Sequence, residues 1–326
     1  MTILPLNALR VFDAVAKTGS FKAAADLLFV TQSAVSHQIR HLEDWLGAPL
    51  FDRVGARPKL LPHAVELARR AAEDGWPVIG AAGGDGTAHE VACGLLESGR
   101  DSTLAVLPLG SANDYAVSLG LVPGWWSRPV EGVVRRRVDV GRATWAGGFR
   151  WFVNGVGMGF NGLVTVESRK VKHFRGLLLY GMAVWRALGK PRLSGPWHVN
   201  IDGFMREERP LMTVSVALGH REGNFTLTPR ALLDDGLFDV VEAGHLSPFE
   251  VMSLLPRLMM GGEVVHNKVW QGTAKTVEIV APGAVAAHAD GELLFRVEDG
   301  VSALSIELVP RRLEVIAGPG FRGNKP

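Results

Sequence analysis

The sequence predicts a multidomain chain in three parts: a small helical head, an α/β segment and a long strand-rich region. Three observations carry this division. Helical periodicity fills much of residues 1–60. One grammar (apolar strand, glycine turn, helix) then appears twice, at Ile79–Glu90 and at Thr103–Ala116. After Leu121 the composition changes to strand-rich segments punctuated by Gly and Pro. With 326 residues, the chain is long enough for two or three domains with substantial cores.

In the head, Leu6, Leu9, Phe12, Val15 and Ala16 recur at helical spacing, and Gly19 ends that helix. Ser20 caps a second, short helix to Leu28. Thr31 caps a third, from Gln32 to about Leu46, with Val35, Ile39, Leu42 and Leu46 on its buried face. The other face begins with Gln32, Ser33, Ser36, His37 and Arg40, residues able to hydrogen-bond base edges and phosphates from a major groove. Gly47 to Arg53 then leads into a basic hairpin around Arg57 and Lys59, a candidate wing. This run of about 55 residues resembles the N-terminal winged helix-turn-helix of LysR-type regulators. The resemblance implies contacts to duplex DNA from Thr31, Gln32, Ser33, Ser36, His37, Arg40 and Arg53. Residues 1–68 hold seven Lys and Arg against six Asp and Glu, so DNA binding is expected to be weak and salt-sensitive.

In the α/β segment, Trp76 to Ala82 reads as a buried strand that Gly83-Gly84-Asp85-Gly86-Thr87 breaks sharply. A helical pattern follows through Val91, Leu95 and Leu96. Thr87 and Glu90 have capping-box spacing, which predicts a helix N-terminus directly after the glycines. Glycines let a phosphate approach the backbone, and free N–H groups with the helix dipole favour its charge. The second turn, Pro108-Leu109-Gly110, leads into Ser111, Asn113 and Asp114. Two such turns about 25 residues apart fit neighbouring parallel strands whose C-terminal ends face one crevice.

This pair of motifs, GGDGT and then PLGSANDYA, resembles the catalytic domain of the diacylglycerol kinase family, which includes bacterial lipid kinases and sphingosine kinases. Arg137–Gly141, Phe152–Phe160, Ala231–Asp239 and Ala289–Glu292 extend the resemblance, which runs from about His63 to about Val315. It implies a lipid/NAD kinase-like fold: an α/β ATP-binding domain over 61–130, rejoined by 300–318, and a β-sandwich over 131–299. It implies that Gly83, Gly84, Asp85, Gly86, Thr87, Gly110, Ser111 and Asn113 hold ATP. Asp85, Asp114 and Asp139 would serve Mg²⁺, a hard cation suited to carboxylates, and Asp235 a second Mg²⁺ position. Asp290 would be the general base for a lipid hydroxyl, with Glu292 in the same site.

The chain departs from the family pattern in three ways. Ser111 stands where Thr is usual, and His89 replaces a frequent Asn. The strand and NPxSG-like loop that usually precede GGDGT are missing, for only about 20 residues separate the candidate wing from that motif. Their loss predicts an exposed sheet edge. The intervening helix carries Ala64, Leu67, Ala68 and Ala71, a stripe that can serve either the sheet or a second copy in a homodimer. The tight Gly75-Trp76-Pro77 entry into the strand favours the sheet.

A formal charge of +2 does not announce a nucleic-acid partner for the chain as a whole. The single cysteine, Cys93, excludes an intramolecular disulfide and reads as an inert core thiol in a reducing, cytoplasmic setting. Arg10, Asp13 and Lys17 make the first twenty residues unlike a signal peptide, and no apolar run reaches the roughly 18–20 residues of a membrane span. Gly176 to Trp185 is flanked by Lys170, Lys172, His173 and Arg175 and by Arg186, Lys190 and Arg192. Such a helix can lie peripherally on the inner face of a membrane or pack on its own domain. Trp125 and Trp126 are open between core and interface. Three functional classes follow: an ATP-dependent lipid kinase with a DNA-binding head, a DNA-binding regulator with a kinase-derived sensor body, and a non-functional fusion.

Overall fold

A computed structural model describes residues 6–18, 20–46, 51–52, 59–60, 64–127, 131–170, 176–190, 193 and 195–324. It divides into two compact units, Met1–Leu67 and Ala68–Pro326. The first contains α1 (Leu6–Thr18), α2 (Phe21–Leu28) and α3 (Gln32–Leu46), then the short strands β1 (Phe51–Asp52) and β2 (Lys59–Leu60). Val11, Ala14 and Val15 of α1 pack with Ala24 and Ala25 of α2 and Val35 and Ile39 of α3. Both expected caps form. Ser20 Oγ accepts from the Ala23 N–H at 3.3 Å, and Thr31 Oγ1 from that of Ala34 at 3.2 Å. On α1 the buried stripe is Ala8, Val11, Ala14 and Val15, with Leu9 and Phe12 only half-buried. The expected face is turned by about one residue, because small alanines let the other two helices close against it. Strands β1 and β2 pair antiparallel as a hairpin, Phe51 opposite Leu60. Gly19, Gly47, Arg53 and Arg57 lie outside the described residues.

The helix α4 (Ala64–Glu73) spans the division between the units. Of its predicted stripe Ala68 is buried, together with Ala72 one turn on, while Ala64, Leu67 and Ala71 are half-buried. The second unit opens with β3 (Val78–Gly83), α5 (Asp85–Ser98), β4 (Thr103–Pro108) and α6 (Asp114–Ser118). It continues through β5 (Val134–Trp145), β6 (Gly148–Phe152), β7 (Gly155–Gly159), α7 (Phe160–Ser168) and α8 (Gly176–Leu188). Next come β8 (His198–Ile201), β9 (Phe204–Met205), β10 (Leu211–Ala217), β11 (Arg221–Glu222), β12 (Phe225–Thr226), β13 (Phe238–Gly244) and α9 (Pro248–Met259). The last elements are β14 (Val269–Ala274), β15 (Thr276–Val280), β16 (Ala287–Ala289), β17 (Glu292–Phe295) and β18 (Ala303–Ala317).

Two large sheets result. One runs β3-β4-β18-β15-β8-β9, with β5 pairing both β18 and β6; the other runs β14-β13-β10-β7-β16-β17. The strand β18 is the spine of the first. Its start pairs with β15 and its end lies parallel to β4, Val315 beside Leu104, while β5 runs antiparallel along most of it. The chain's last strand thus returns to the sheet that carries the glycine turns. At the other end β3 pairs with β4 alone among the described residues, the open edge expected. For that reason the strand is not the buried one read from Trp76 to Ala82, since Trp76, Val78 and Gly80 are exposed and only Ala81 is buried.

Gly141 of β5 faces Phe152 of β6, whose fully buried ring stacks on Phe238 at 5.7 Å. A Cβ at Gly141 would fall inside the Phe152 ring. We therefore expect Gly141→Ala to cost about 1–3 kcal/mol through overpacking. Phe152→Ala should cost about 3–5 kcal/mol through the cavity it leaves. Urea midpoints of the two variants against the parent chain measure both.

Candidate functional site

The strands β3 and β4 run parallel and in register, Val78 beside Thr103 through Gly83 beside Pro108, so their turns emerge together. Here the absence of side chains is required by contact. A Cβ on Gly110 would collide with the Gly84 backbone, and one on Gly83 with the Thr87 side chain. Asn113 closes the second turn at a φ of 55°, accepting from the Gly110 N–H at 2.9 Å and donating to its carbonyl at 2.8 Å. Ser111 is exposed beside it. The expected capping box of Thr87 and Glu90 does not form. The helix α5 begins earlier, at Asp85, with extended Gly84 as its cap and no side-chain cap hydrogen bond. Thr87 is therefore already inside the first turn, and the leading N–H groups keep an anion-binding aspect.

Asp85 reaches across to the second turn, its Oδ1 accepting from the Tyr115 N–H at 3.0 Å. Burial pushes its carboxyl up, against the pull of those backbone donors. Asp114 is buried, receives the Asn224 N–H at 3.2 Å and lies 3.5 Å from the Arg221 guanidinium. Burial, and then the charge of Asp85, raise it to about 6. The charge of Asp85 raises Asp114, and that of Asp290 raises Asp85, so a divalent cation held by Asp85 and Asp114 would relieve this repulsion. Among the described residues no three His, Cys, Asp or Glu side chains converge as a metal cage.

Asp139 does not join them. It is fully buried, with Oδ2 accepting from the Gly236 N–H and Oδ1 from the Arg311 N–H, both at 2.7 Å. It fastens the Asp234-Asp235-Gly236 turn to a bulge in β18, where Arg311 has a φ of 48°. Its oxygens are spent on backbone, and its charged neighbours are Asp234 and Arg311, not the glycine turns. Asp235 belongs to this second place, where burial and then the Asp139 charge raise its carboxyl.

Asp290 sits at a φ of 50° in the turn between β16 and β17. Its Oδ1 accepts from the N–H groups of Asn154 and Gly155, at 2.9 and 2.8 Å. Its Oδ2 accepts from the Val153 N–H and meets His89 Nδ1, both at 2.8 Å. With every lone-pair direction filled, this carboxylate has no room for a substrate proton, contrary to the base role expected of it. Burial would push Asp290 up, but the His89 hydrogen bond and charge, with the backbone donors, hold it below the usual carboxylate range. Burial alone would push His89 down; the Asp290 bond, the Cys93 contact at 3.6 Å and the Asp290 charge override it and raise it to about 10. Cys93 is buried as expected, yet it lies against this imidazole and the Trp151 carbonyl. Glu292 does not line the cavity that holds Asp85, Asp114 and Asp290, but stays beside the first glycine turn. It pairs with Arg169 at 2.6 Å and lies against Gly86.

Asp85, Asp114 and Asp290 stand at the polar end of one cavity. Tyr115 and His288 line the same end, and the Tyr115 hydroxyl is buried without a hydrogen-bond partner. His288 Nε2 lies 2.7 Å from Glu222, out of line for a hydrogen bond. Beyond them the walls are mostly apolar, including Val164 of α7, Val184 of α8, Met212 of β10, Val241 of β13 and Leu254 and Leu258 of α9, with Asn161, Thr165, Thr213 and Ser215 among them. Sequence reasoning missed Tyr115, Arg221, Glu222 and His288, because only folding brings β11 and β16 to the glycine turns. In the head, Gln32, Ser33, His37 and Arg40 are exposed and Ser36 is half-buried, on one side of α3. Thr31 is exposed with its hydroxyl engaged in the cap.

Residues 154–317 match the family described as YegS C-terminal NAD kinase beta sandwich-like domain. A protein of Xanthomonas euvesicatoria pv. vesicatoria, named "Probable lipid kinase YegS-like", is 31% identical over 267 residues, covering 75% of this chain and 80% of that protein. The chain belongs to the YegS-like lipid kinase family. Another relative, named "Diacylglycerol kinase" in Mycobacterium tuberculosis (strain ATCC 25618 / H37Rv), is 27% identical over 269 residues, 78% of this chain and 81% of that one. The crystal structure of a diacylglycerol kinase from Bacillus anthracis str. Sterne superposes with a TM-score of 0.54 at 20% identity, covering 80% of this chain and 83% of that one, and shows the shared fold. The head of this family member matches a different family. Residues 6–64 match bacterial regulatory helix-turn-helix proteins of the lysR family.

The His89–Asp290 pair sets a pH signature. His89, raised from 6.5, contributes stability that is full below pH 6.5 and lost as pH rises toward about 10. Asp290, lowered from 3.8, contributes stability present above pH 3.8 and lost on acidification. His89→Asn keeps a donor but no titration and should flatten the alkaline decline, read as urea midpoints at about pH 6 and about pH 9. His89→Leu leaves the carboxylate unpaired and should cost about 3–5 kcal/mol at the lower pH.

Proposed function

We propose that the body transfers a phosphoryl group from ATP to the hydroxyl of a diacylglycerol-like lipid. The observation that supports this most is the cavity, which joins Asp85 and Asp114 to an apolar chamber. A ligand with one phosphate-seeking end and long apolar chains matches both walls. The two glycine turns and the uncapped start of α5 would receive the nucleotide phosphates, with Gly83, Gly84, Gly86, Thr87, Gly110, Ser111 and Asn113 around them. Asp85 and Asp114 would hold Mg²⁺, which supplies neutralising charge to the phosphates. Phosphoryl transfer depends mainly on positioning and charge, so a saturated Asp290 is compatible with it. Its part is to hold the Val153–Gly155 backbone where the lipid hydroxyl enters. No strand lies beyond β3 among the described residues, so the glycine turns act without a further phosphate loop, and we expect weak ATP affinity.

For the head we propose contact with duplex DNA through α3, supported by the exposed Gln32, Ser33, His37 and Arg40. Near-neutral local charge makes this binding weak and steeply dependent on salt. No helix among the described residues is long and apolar enough to cross a membrane, so the lipid must be reached from the bilayer surface.

Asp85→Asn keeps an acceptor for the Tyr115 N–H and removes the charge. It should lower Mg²⁺-dependent transfer from labelled ATP to diacylglycerol by about 100-fold or more, with an unchanged melting temperature. Undiminished transfer would remove Asp85 from the site. In gel shifts of duplex DNA at low salt, Arg40→Ala should weaken binding by about tenfold. If the parent chain shifts no duplex, the head's DNA role is lost.

A further inference from the structure

The helix α9 is apolar on both sides. Its inner side (Val251, Leu254, Leu255 and Leu258) lines the cavity. Its outer side carries Phe249, Met252, Pro256 and Met259 at helical spacing, continued by Met260. Phe249 and Met260 are more than 80% exposed, and Met252 and Met259 nearly half. Soluble surface helices normally reserve that side for charge. Here a capping box between Ser247 and Glu250, with Pro248 in the first turn, fixes the helix start independently of any cover over the stripe. Nor is α9 alone. Val184 of α8 shares one apolar cluster with Val251 and Leu254, and α8 also turns Met182 and Trp185 to solvent, Trp185 at 63%.

We propose that α9, with the exposed side of α8, is the surface by which this chain docks on an anionic lipid bilayer, the outer stripe seated among the acyl chains. Two observations select a bilayer over a protein partner. First, the stripe and the cavity are opposite sides of one helix, and Leu254, Leu255 and Leu258 are half-buried, so the chamber reaches the surface beside the stripe. A lipid can then pass from bilayer to cavity along the apolar side chains of α9; this part of the argument rests on the lipid-kinase reading. Second, the flank is cationic. Lys170, Arg186 and Lys190 converge on a single carboxylate, Glu167, at 2.7, 2.8 and 3.7 Å, leaving an excess of positive charge. Apolar insertion flanked by basic residues is the usual chemistry of interfacial helices on anionic membranes. The device differs from the one expected of Gly176–Trp185 alone, since α8 buries Ala183, Val184 and Ala187 in the protein core beside the exposed Met182 and Trp185.

The test is partition of the full chain onto vesicles of phosphatidylcholine, with and without phosphatidylglycerol, read by co-sedimentation without nucleotide. We expect binding to vesicles that contain phosphatidylglycerol. The double variant Phe249→Ser with Met260→Ser should lose at least about tenfold in partition, because each side chain forfeits its apolar transfer. Neither residue lines the cavity, so transfer to detergent-dispersed lipid should be unchanged. Phe204→Ser, at a site equally exposed on β9, should bind like the parent. Undiminished binding by the double variant overturns the proposal. So does a parent chain that ignores vesicles, or one that self-associates in ultracentrifugation through contacts the double variant abolishes. Partition needs no ATP, so a chain that docks through α9 but phosphorylates nothing refutes the kinase reading and leaves the docking surface standing.

Discussion

One buried carboxylate ties the second unit together. Asp290, at the tip of the β16–β17 turn, collects donors from three consecutive backbone positions, Val153 to Gly155, and from His89 on α5. Its own N–H returns a bond to the Gly155 carbonyl at 2.8 Å. The helix that begins at the glycine turn is thereby locked to the strands that wall the cavity. A charge so buried is tolerable only while each lone pair has a partner, since an unpaired buried ion costs several kcal/mol. The left-handed backbone at Asp290, unusual for a residue with a side chain, is held by these same bonds.

A second carboxylate does comparable work at a distance. Asp139 receives the N–H groups of Gly236 and Arg311 and so holds the bulge of β18 and the turn before β13 in one arrangement. Because β18 borders β4, β5 and β15, this bond sets how the glycine-turn strands meet the rest of the sheet. The two acids left with spare acceptor capacity, Asp85 and Asp114, lie where the sheet's parallel strands end. The division is physical: Asp139 and Asp290 spend their oxygens on the frame, while Asp85 and Asp114 line the cavity, the charge of Asp85 raising Asp114.

The cavity joins two chemistries that separate elements supply. Its polar end comes from the turns after β3 and β4 and from the loops near β11 and β16; its apolar end comes from α7, α8, α9 and the second sheet. The helix α9 carries apolar side chains both toward the cavity and on its exposed side.

The elements of both units were legible because their signals are local. Helical spacing with Ser20 and Thr31 as caps marks the head, and a strand running into glycines marks each turn. The capping box at Thr87 failed as a signal because Gly84, without a side chain, lets the helix start three residues sooner. Asp139 and Asp290 were recognisable as acids in Asp-Gly-type turns, but their tasks were not, since the Arg311 N–H and the His89 imidazole that occupy them lie 172 and 201 residues away in the chain. The sequence by itself determined the kind of chain this is: a helix-turn-helix head and a glycine-turn α/β body with an open edge at β3. Periodicity, caps and the steric needs of glycine act between near neighbours and can be read there. Only the tertiary structure decided which carboxylates are free and which are bound, where the apolar chamber lies, and that α9 shows an apolar side to water. Each of those depends on partners that meet across the fold, and desolvation has no value until they have met.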